Sequence, residues 1–600
     1  MSPSELSVRA LSAQVRSGSL SAEQLVQTVL ARAEAFARIQ PQAFISRVPD
    51  AQVLQRAKAI DAELAAGVYL PLAGVPFVVK DNIDAAGLAT TAACPEFSYQ
   101  PIRSATLVML LERAGAVLLG KANLDQFATG LSGARSPYGV PHCVFNRDYI
   151  SGGSSSGSAV LVAAGVAGFS LGTDTAGSGR VPAAINGLVG LKPTRGRWSN
   201  AGVVPACRSL DCVTVFAHSI DDARCVDEVL AQFDATDPWS RLVPAPTHDI
   251  DVTTQRPVLV GVAARANLDF SGDMQSAALY DAALDTLKRS GAELVEVDVQ
   301  PLLDAAQLLY AGPWVAERLE VTEALLKARA GAFHPVVRGI LQEARLVSAA
   351  DAFRGMHALQ AYQGVATALW RDIDMLCLPT TPTTFRVTDM LADPVQLNSI
   401  LGRYTNFVNL LDMSALALPA GFRSNGTGFG ISLIGPAWSE PALFRAGSAY
   451  EALLQVSIPP LEAEPRAATI ELAVVGAHLQ GQPLHWQLTS RQAEFVCRTQ
   501  TAPAYQLYAM AGQQPAKPAL VHSGVQVGTA IEVEVYRLGV EAFGSFVAEV
   551  PAPLAIGSVQ LADGRTVKGF VAEPRALAGA LDISQFGGWR AWRTRPPEEL

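Results

Sequence analysis

Hydroxyl side chains cluster twice in this sequence, at Gly152-Gly153-Ser154-Ser155-Ser156-Gly157-Ser158 and at Asp174-Thr175-Ala176-Gly177-Ser178-Gly179. Glycine lets a backbone turn approach a substrate closely, and the free N–H groups of such turns can face an oxyanion. A serine is a poor nucleophile until a base takes its proton, so the chemistry depends on which base the chain offers. Gly153-Ser154-Ser155-Ser156-Gly157 satisfies G-x-S-x-G and would make Ser155 the nucleophile of a histidine-based hydrolase. That motif needs a preceding strand and a late histidine, and the histidines that follow it in the same region are His218, His248, His334 and His357. The second base is Lys80, which ends the apolar run Gly74-Val75-Pro76-Phe77-Val78-Val79. Burial disfavours the charged amine, and a neutral amine can accept a hydroxyl proton. A strand-end lysine can also reach solvent through its stem. The Gly/Ser runs can equally be read as linkers, but an apolar stretch of helical length between them argues otherwise.

These loops need elements to hold them. The first opens a buried helix and the second follows a short apolar strand. Ser21 to Phe36 predicts an amphipathic helix, with Ser21 and Gln24 at capping-box spacing and Leu25, Val26, Val29, Leu30, Ala33 and Phe36 on its apolar face. Ser104 to Arg113 predicts a helix and Ala116 to Leu119 a strand, with Gly115 as the C-cap between them. Val258 to Val262 and Ala292 to Val297 predict strands flanking a helix from Asp273 to Ser290. Ala305 to Ala330 is helical in character and holds Tyr310, Trp314 and Arg318, with Gly312-Pro313 resetting its geometry. Met375 to Leu378 predicts a strand stopped by Pro379, Leu410 to Pro419 and Gly430 to Gly435 further strand and turn, and Glu440 to Gln455 a helix. The alternation implies α/β layering.

At 600 residues the chain is too long for one ordinary core. The Pro/Glu run Ile458-Pro459-Pro460-Leu461-Glu462-Ala463-Glu464-Pro465-Arg466 marks the break, giving domains at 1–457 and 469–600 joined by a linker at 458–468. The second predicts an α+β module with strands at Ile470 to Val475, Tyr505 to Ala509, Ala530 to Arg537 and Val567 to Glu573. With 49% hydrophobic and 17% charged residues and a formal charge of −9, the chain reads as a soluble protein with no nucleic-acid partner. An anionic substrate would need a local cation. The N-terminus lacks an apolar h-region and no run reaches transmembrane length, so a cytoplasmic protein without a membrane partner is expected. Seven cysteines without a C-x-x-C pair imply reduced thiols, and neither metal nor cofactor is expected.

Lys80, Ser154 and Ser178 lie in GVPFVVKDNID, GGSSSGS and TDTAGSGR, and LVGLKPTRG follows. On these motifs the chain from Leu20 to Leu454 resembles the amidase signature family of Ser-cisSer-Lys amide hydrolases. The resemblance implies a mixed central sheet flanked by helices, Lys80 as base, Ser154 as bridge on a cis peptide, and Ser178 as the nucleophile that forms an acyl-enzyme. It also implies an oxyanion hole built from the N–H groups of Thr175, Ala176, Gly177 and Ser178. Ser156 stands where a glycine is commoner in the family, and Ala176 and Gly179 where a glycine and an isoleucine are more usual.

NLDQFATGLSGARSPYG, the pair Tyr310 and Arg318, and VVGAHLQGQPL resemble the allophanate hydrolase branch. That resemblance implies a small anionic amide substrate, urea-1-carboxylate, cleaved to ammonia and carbon dioxide. Tyr310, Arg318 and Gly130 would bind it, since a guanidinium takes a carboxylate in a bidentate bond. A homodimer, within a larger urea- or cyanuric-acid-degrading assembly, belongs to the same expectation. The C-terminal region, Thr469 to Arg593, resembles the allophanate hydrolase C-terminal domain, similar to gamma-glutamylcyclotransferase-like proteins, with a role in decarboxylation or in assembly. His478 is its candidate group, since an imidazole can donate a proton near neutral pH; a structural histidine capping a loop fits the sequence equally well. Glu541 is a weaker candidate that reads as solvated. The rival readings are an amidase of another small amide, an amidotransferase-type subunit, and a scaffold whose C-terminal module only docks.

Overall fold

Pro76–Lys80 is buried at every position, as a strand can be only inside a sheet covered on both faces. The computed structural model describes residues 7–244, 256–461, 469–524 and 528–595. It places this strand third in an eleven-stranded sheet. In spatial order the strands are Phe44–Arg47, Val117–Ala122, Pro76–Lys80, Phe169–Asp174, Cys212–Ala217, Val189–Lys192, Ser414–Phe422, Gly428–Gly435, Met375–Pro379, Leu259–Ala263 and Glu293–Val297. Pro76–Lys80 runs parallel to both neighbours, whereas Phe169–Asp174 is antiparallel to Cys212–Ala217, so the sheet is mixed. Helices flank it, giving the α/β layering and mixed sheet that the motifs implied.

The helix at Ala22–Ala37 has its full capping box: the Gln24 N–H donates to Ser21 Oγ at 3.0 Å and the Ser21 N–H to Gln24 Oε1 at 3.2 Å. Its Leu25, Val26, Val29, Leu30 and Ala33 are buried. Ser156–Ala163 is buried on every side, which its Ser-Gly-Ser-Ala-Val-Leu-Val-Ala sequence permits because no face carries a charge. Leu259–Ala263 and Glu293–Val297 are parallel neighbours joined through the helix Met274–Arg289. Among the described residues no helix is long and apolar enough to cross a membrane.

Some elements differ from their sequence reading. The stretch expected to be helical from Ala305 to Ala330 is broken into Gln300–Gln307, Trp314–Glu317 and Leu319–Ala328. Pro313 supplies no N–H to continue a helix, and chain reversal at 308–313 frees Tyr310 and Arg318 from one helical face. Pro379 does not stop its strand but closes it, opposite Ile431. Leu410 ends the helix Asn406–Leu410, and the following strand, Ser414–Phe422, runs on through Pro419 at a register shift. The last helix of this region stops at Glu451 rather than Gln455.

Contacts divide the chain into Met1–Ala463 and Glu464–Leu600. The second unit holds a five-stranded sheet in the order Glu494–Gln500, Glu532–Gly539, Thr469–Val474, Thr566–Ala572 and Leu554–Gln560. A three-stranded sheet, Pro518–His522, Tyr505–Ala509 and Leu581–Asp582, completes it, with helices at Trp486–Thr489, Val540–Ala548 and Trp589–Arg593.

Candidate active site

Lys80, Ser154 and Ser178 come from three separated elements: the end of a central strand, the loop before the buried helix, and the turn after Phe169–Asp174. Lys80 is fully buried, and its Nζ lies 2.8 Å from Ser154 Oγ and 2.8 Å from Thr173 Oγ1. Burial pushes the amine down to about 7, while the carboxylates of Asp125, Asp211 and Asp174 pull the other way. A neutral amine that donates one N–H to Thr173 keeps its lone pair for the Ser154 hydroxyl. The Gly153–Ser154 peptide is cis. The Ser178 hydroxyl donates to the Gly130 carbonyl oxygen at 3.5 Å, and among the described residues no hydrogen bond joins it to Ser154. Thr173, which completes the lysine's surroundings, was not singled out in the sequence; its place near the end of the strand that leads into the Ser178 turn was the available signal.

Ser155 belongs to the backbone instead. Its Oγ donates to the Thr173 carbonyl oxygen at 3.1 Å and accepts the Thr173 N–H at 3.3 Å. Neither His218, His334 nor His357 touches it, and His248 lies outside the described residues. The G-x-S-x-G reading therefore lacks its base. Both Ser/Gly loops are buried, which removes the linker reading as well.

The turn that carries Ser178 is held from two sides. Asp174 accepts the N–H groups of Gly177 at 2.8 Å and Gly179 at 3.0 Å, and pairs with Arg180 through two bonds of 2.9 Å. Burial alone would raise its carboxyl; Arg180 outweighs that and holds it below the usual carboxylate range. The Gly177 N–H, expected among the oxyanion donors, is thus committed to Asp174. The N–H groups of Thr175, Ala176 and Ser178 meet no acceptor among the described residues and remain available. Gly177 has φ +137°, and a Cβ there would lie 2.4 Å from Thr405 Oγ1. At Gly179 a Cβ would lie 2.6 Å from Thr214 Oγ1, so Thr214 fills the volume that a larger residue would need. On the other side Asp211 accepts the Thr175 hydroxyl. Burial pushes the Asp211 carboxyl up to about 6.

Arg318 is 4% exposed and not a surface residue. Its Cζ lies 5.6 Å from the centre of the Tyr310 ring, and its Nη1 donates to Thr129 Oγ1 at 2.9 Å. No carboxylate pairs with it among the described residues, although a buried charge is costly without a partner. Thr129 adjoins Gly130, whose carbonyl meets Ser178, so the cation and the hydroxyl are separated by one short loop. Arg135, overlooked in the sequence although it stands within NLDQFATGLSGARSPYG, binds the Thr129 carbonyl oxygen at 3.0 Å and the Pro394 carbonyl oxygen at 2.6 Å. It fastens the loop that carries Thr129 and Gly130.

In the second unit His478 lines a cavity of about 130 Å³ together with Gln487, Lys517, Glu549 and Phe570. Its ring stacks on Phe570, with centres 4.9 Å apart. Its Nε2 lies 2.7 Å from Gln487 Oε1, while Gln487 Nε2 donates to Glu549 Oε2 at 3.2 Å. That direction makes Nε2 the protonated nitrogen and leaves Nδ1 as acceptor. Burial pushes His478 down to about 4, so the imidazole is neutral at neutral pH. Glu541 is exposed in the first turn of Val540–Ala548, outside the cavity. No group of three or more metal-ligating side chains stands together among the described residues.

Residues 24–444 match the Amidase family model, and residues 470–594 match the Allophanate hydrolase C-terminal domain. The chain is 43% identical to urea amidolyase of Saccharomyces cerevisiae over 547 residues, 87% of this chain but 30% of that protein, so it spans about a third of that relative's length. It is 35% identical to a glutamyl-tRNA(Gln) amidotransferase subunit from Deinococcus radiodurans, over 74% of this chain and 97% of that one. A solved structure of Kluyveromyces lactis allophanate hydrolase superposes with a TM-score of 0.66 at 40% identity, covering 95% of this chain and 98% of that one.

Proposed function

The chain belongs to the amidase family, and from that premise we propose that it hydrolyses allophanate through an acyl-enzyme on Ser178. The observation that carries the reading is Arg318, a buried guanidinium with a hydroxyl for its partner, one loop away from Ser178. A small substrate with a carboxylate next to its ureido group supplies the missing anion. The likeness to allophanate hydrolase and urea amidolyase supports the same substrate. An amidase of neutral amides leaves that cation without an anionic partner.

Neutral Lys80 takes the Ser154 proton as Ser154 takes that of Ser178, which turns from Gly130 toward the bridge. The Ser178 oxygen attacks the terminal amide carbon, and the developing oxyanion meets the N–H groups of Thr175, Ala176 and Ser178. The proton held by Lys80 passes back to the leaving nitrogen and ammonia departs. Water then repeats the relay and releases N-carboxycarbamate. With an amine pushed down to about 7, ammonia release is expected to fall about tenfold per pH unit below that value, as protonation removes the base. A pH profile of kcat/KM reads this, and a flat profile through that range would contradict it.

N-carboxycarbamate must still lose carbon dioxide, which requires a proton on its nitrogen as the C–N bond breaks. The reading assigns this step to the His478 cavity, where a bound dianion facing Lys517 would lift the imidazole from its low resting value. The net products are two ammonia and two carbon dioxide per allophanate. His478→Asn is expected to leave release of the first ammonia unchanged while the second lags; both appearing at the wild-type rate would remove His478 from the reaction. The homodimer, and a place in a larger urea- or cyanuric-acid-degrading assembly, belong to the same proposal.

A further inference from the structure

Residues Ala206 to Asp211 form a strap between the two ends of the proposed substrate site. At one end the Asp211 carboxylate accepts the Thr175 hydroxyl and the N–H groups of Ala206 at 2.8 Å and Cys207 at 3.1 Å. Asn409 reinforces that end, donating to the carbonyl oxygens of Asp174 at 2.8 Å and Leu210 at 2.9 Å. The strap is thereby tied to the turn that carries Ser178.

At the other end Glu317, the residue before Arg318, accepts the Ser209 N–H at 2.7 Å, the Ser209 hydroxyl at 2.6 Å and the Cys207 thiol at 2.9 Å. Burial holds that thiol well above its usual range, so it is a hydrogen donor here and not a thiolate. Glu320, two residues beyond Arg318, accepts Arg208 Nε at 3.0 Å. Arg318 is therefore flanked by two carboxylates that grip three consecutive strap residues.

These ties act at a joint in the chain. Arg318 sits there, between Trp314–Glu317, a helix of four residues, and Leu319–Ala328, just after the break at Gly312-Pro313. A single helical turn is not stable by itself, so its place depends on tertiary contacts, those of Glu317 and the buried Val315 among them.

We propose that Glu317 is a positioning residue which, through the strap, sets the distance between the Ser178 turn and the Arg318 guanidinium. The site then selects amides whose carboxylate lies one atom from the scissile carbonyl over those with a longer spacer. A displacement of about 1 Å between reacting and binding groups can cost about 100-fold. The proposal rests on the roles assigned above to Ser178 and Arg318.

The test uses the full chain with allophanate, with malonamate and succinamate, which differ by one methylene, and with neutral malonamide. Glu317→Ala is expected to raise KM for allophanate and malonamate about tenfold or more, leave malonamide within about twofold, and shrink the malonamate-over-succinamate preference about tenfold. Glu317→Gln keeps an acceptor for the Ser209 N–H and should recover most of the loss; Ser209→Ala should show a smaller effect of the same kind, and serves if Glu317→Ala does not fold. An equal loss on malonamide and allophanate would overturn the proposal, because that is what general loosening produces. A fall in KM for the carboxylates would also overturn it, since removing a nearby negative charge without moving Arg318 gives that result. Arg318→Ala is measured alongside. If it fails to raise the carboxylate KM, the assignment of Arg318 fails and takes the proposal with it; if it does raise it while Glu317→Ala does not, the strap alone is wrong.

Discussion

Lys80→Met is expected to abolish ammonia release, with kcat falling on the order of 10⁴-fold or more, the scale of removing a member of a catalytic constellation. Methionine preserves the volume of a fully buried side chain while taking away the amine. Because burial already pushes Lys80 down to about 7, the substitution removes an amine that is largely neutral, so the carboxylates around it lose little attraction and the fold should tolerate it. Ser154 would then lose the partner 2.8 Å away that orients its hydroxyl. Ser178→Ala should match this loss, since it removes the nucleophile itself, and the double variant should be little worse than either single one. Stopped assays for ammonia, with thermal unfolding as a control, check both. Retention of more than about one per cent of wild-type kcat in either variant would be inconsistent with their roles.

Arg318→Ala is expected to raise KM for allophanate about 30- to 1,000-fold, the range for removing one member of a buried charge pair, about 2–4 kcal/mol. Malonamide, which has no carboxylate, should change by less than about threefold. The contrast follows from the position of Arg318: it binds Thr129 and faces Tyr310, but reaches neither Lys80 nor the Ser178 turn by hydrogen bond. Arg318→Lys should recover only part of the loss, because an ammonium cannot make the planar two-point bond. Comparable losses on the two substrates would show that Arg318 supports the fold rather than the carboxylate.

Local signals carried much of this chain. The capping box at Ser21 and Gln24, the all-apolar strand before Lys80 and the strand-helix-strand unit from 259 to 297 are set by periodicity within a few residues, and tertiary packing agrees with each. The break at 308–313 was hinted by Gly312-Pro313, but its consequence, Arg318 turned into the core, depends on partners more than a hundred residues away. Separation along the chain also hides Asp211, Thr173 and Glu317, whose partners lie 36, 93 and 108 residues away. Arg135 lies inside NLDQFATGLSGARSPYG, where its role shows only once the Thr129 and Pro394 carbonyls are seen to meet it. In the C-terminal unit, Glu494–Gln500 and Leu554–Gln560 are half-exposed strands without a clean alternation to mark them, and Pro518–His522 is a short strand that opens on a proline. The turn at 174–179 was marked by its motif, yet which of its N–H groups are free depends on the Asp174 carboxylate folding back over Gly177 and Gly179.

The central claim is that a neutral lysine, through one serine, makes another serine carry the substrate. Rapid-quench mass spectrometry with allophanate tests it most directly, by locating the adduct on the peptide that holds the attacked residue. A carboxycarbamoyl group on Ser178, formed within a turnover by the wild type and absent from Lys80→Met, is the predicted result. An adduct on Ser154 or Ser155, or steady ammonia release with Ser178 unmodified throughout, would contradict it.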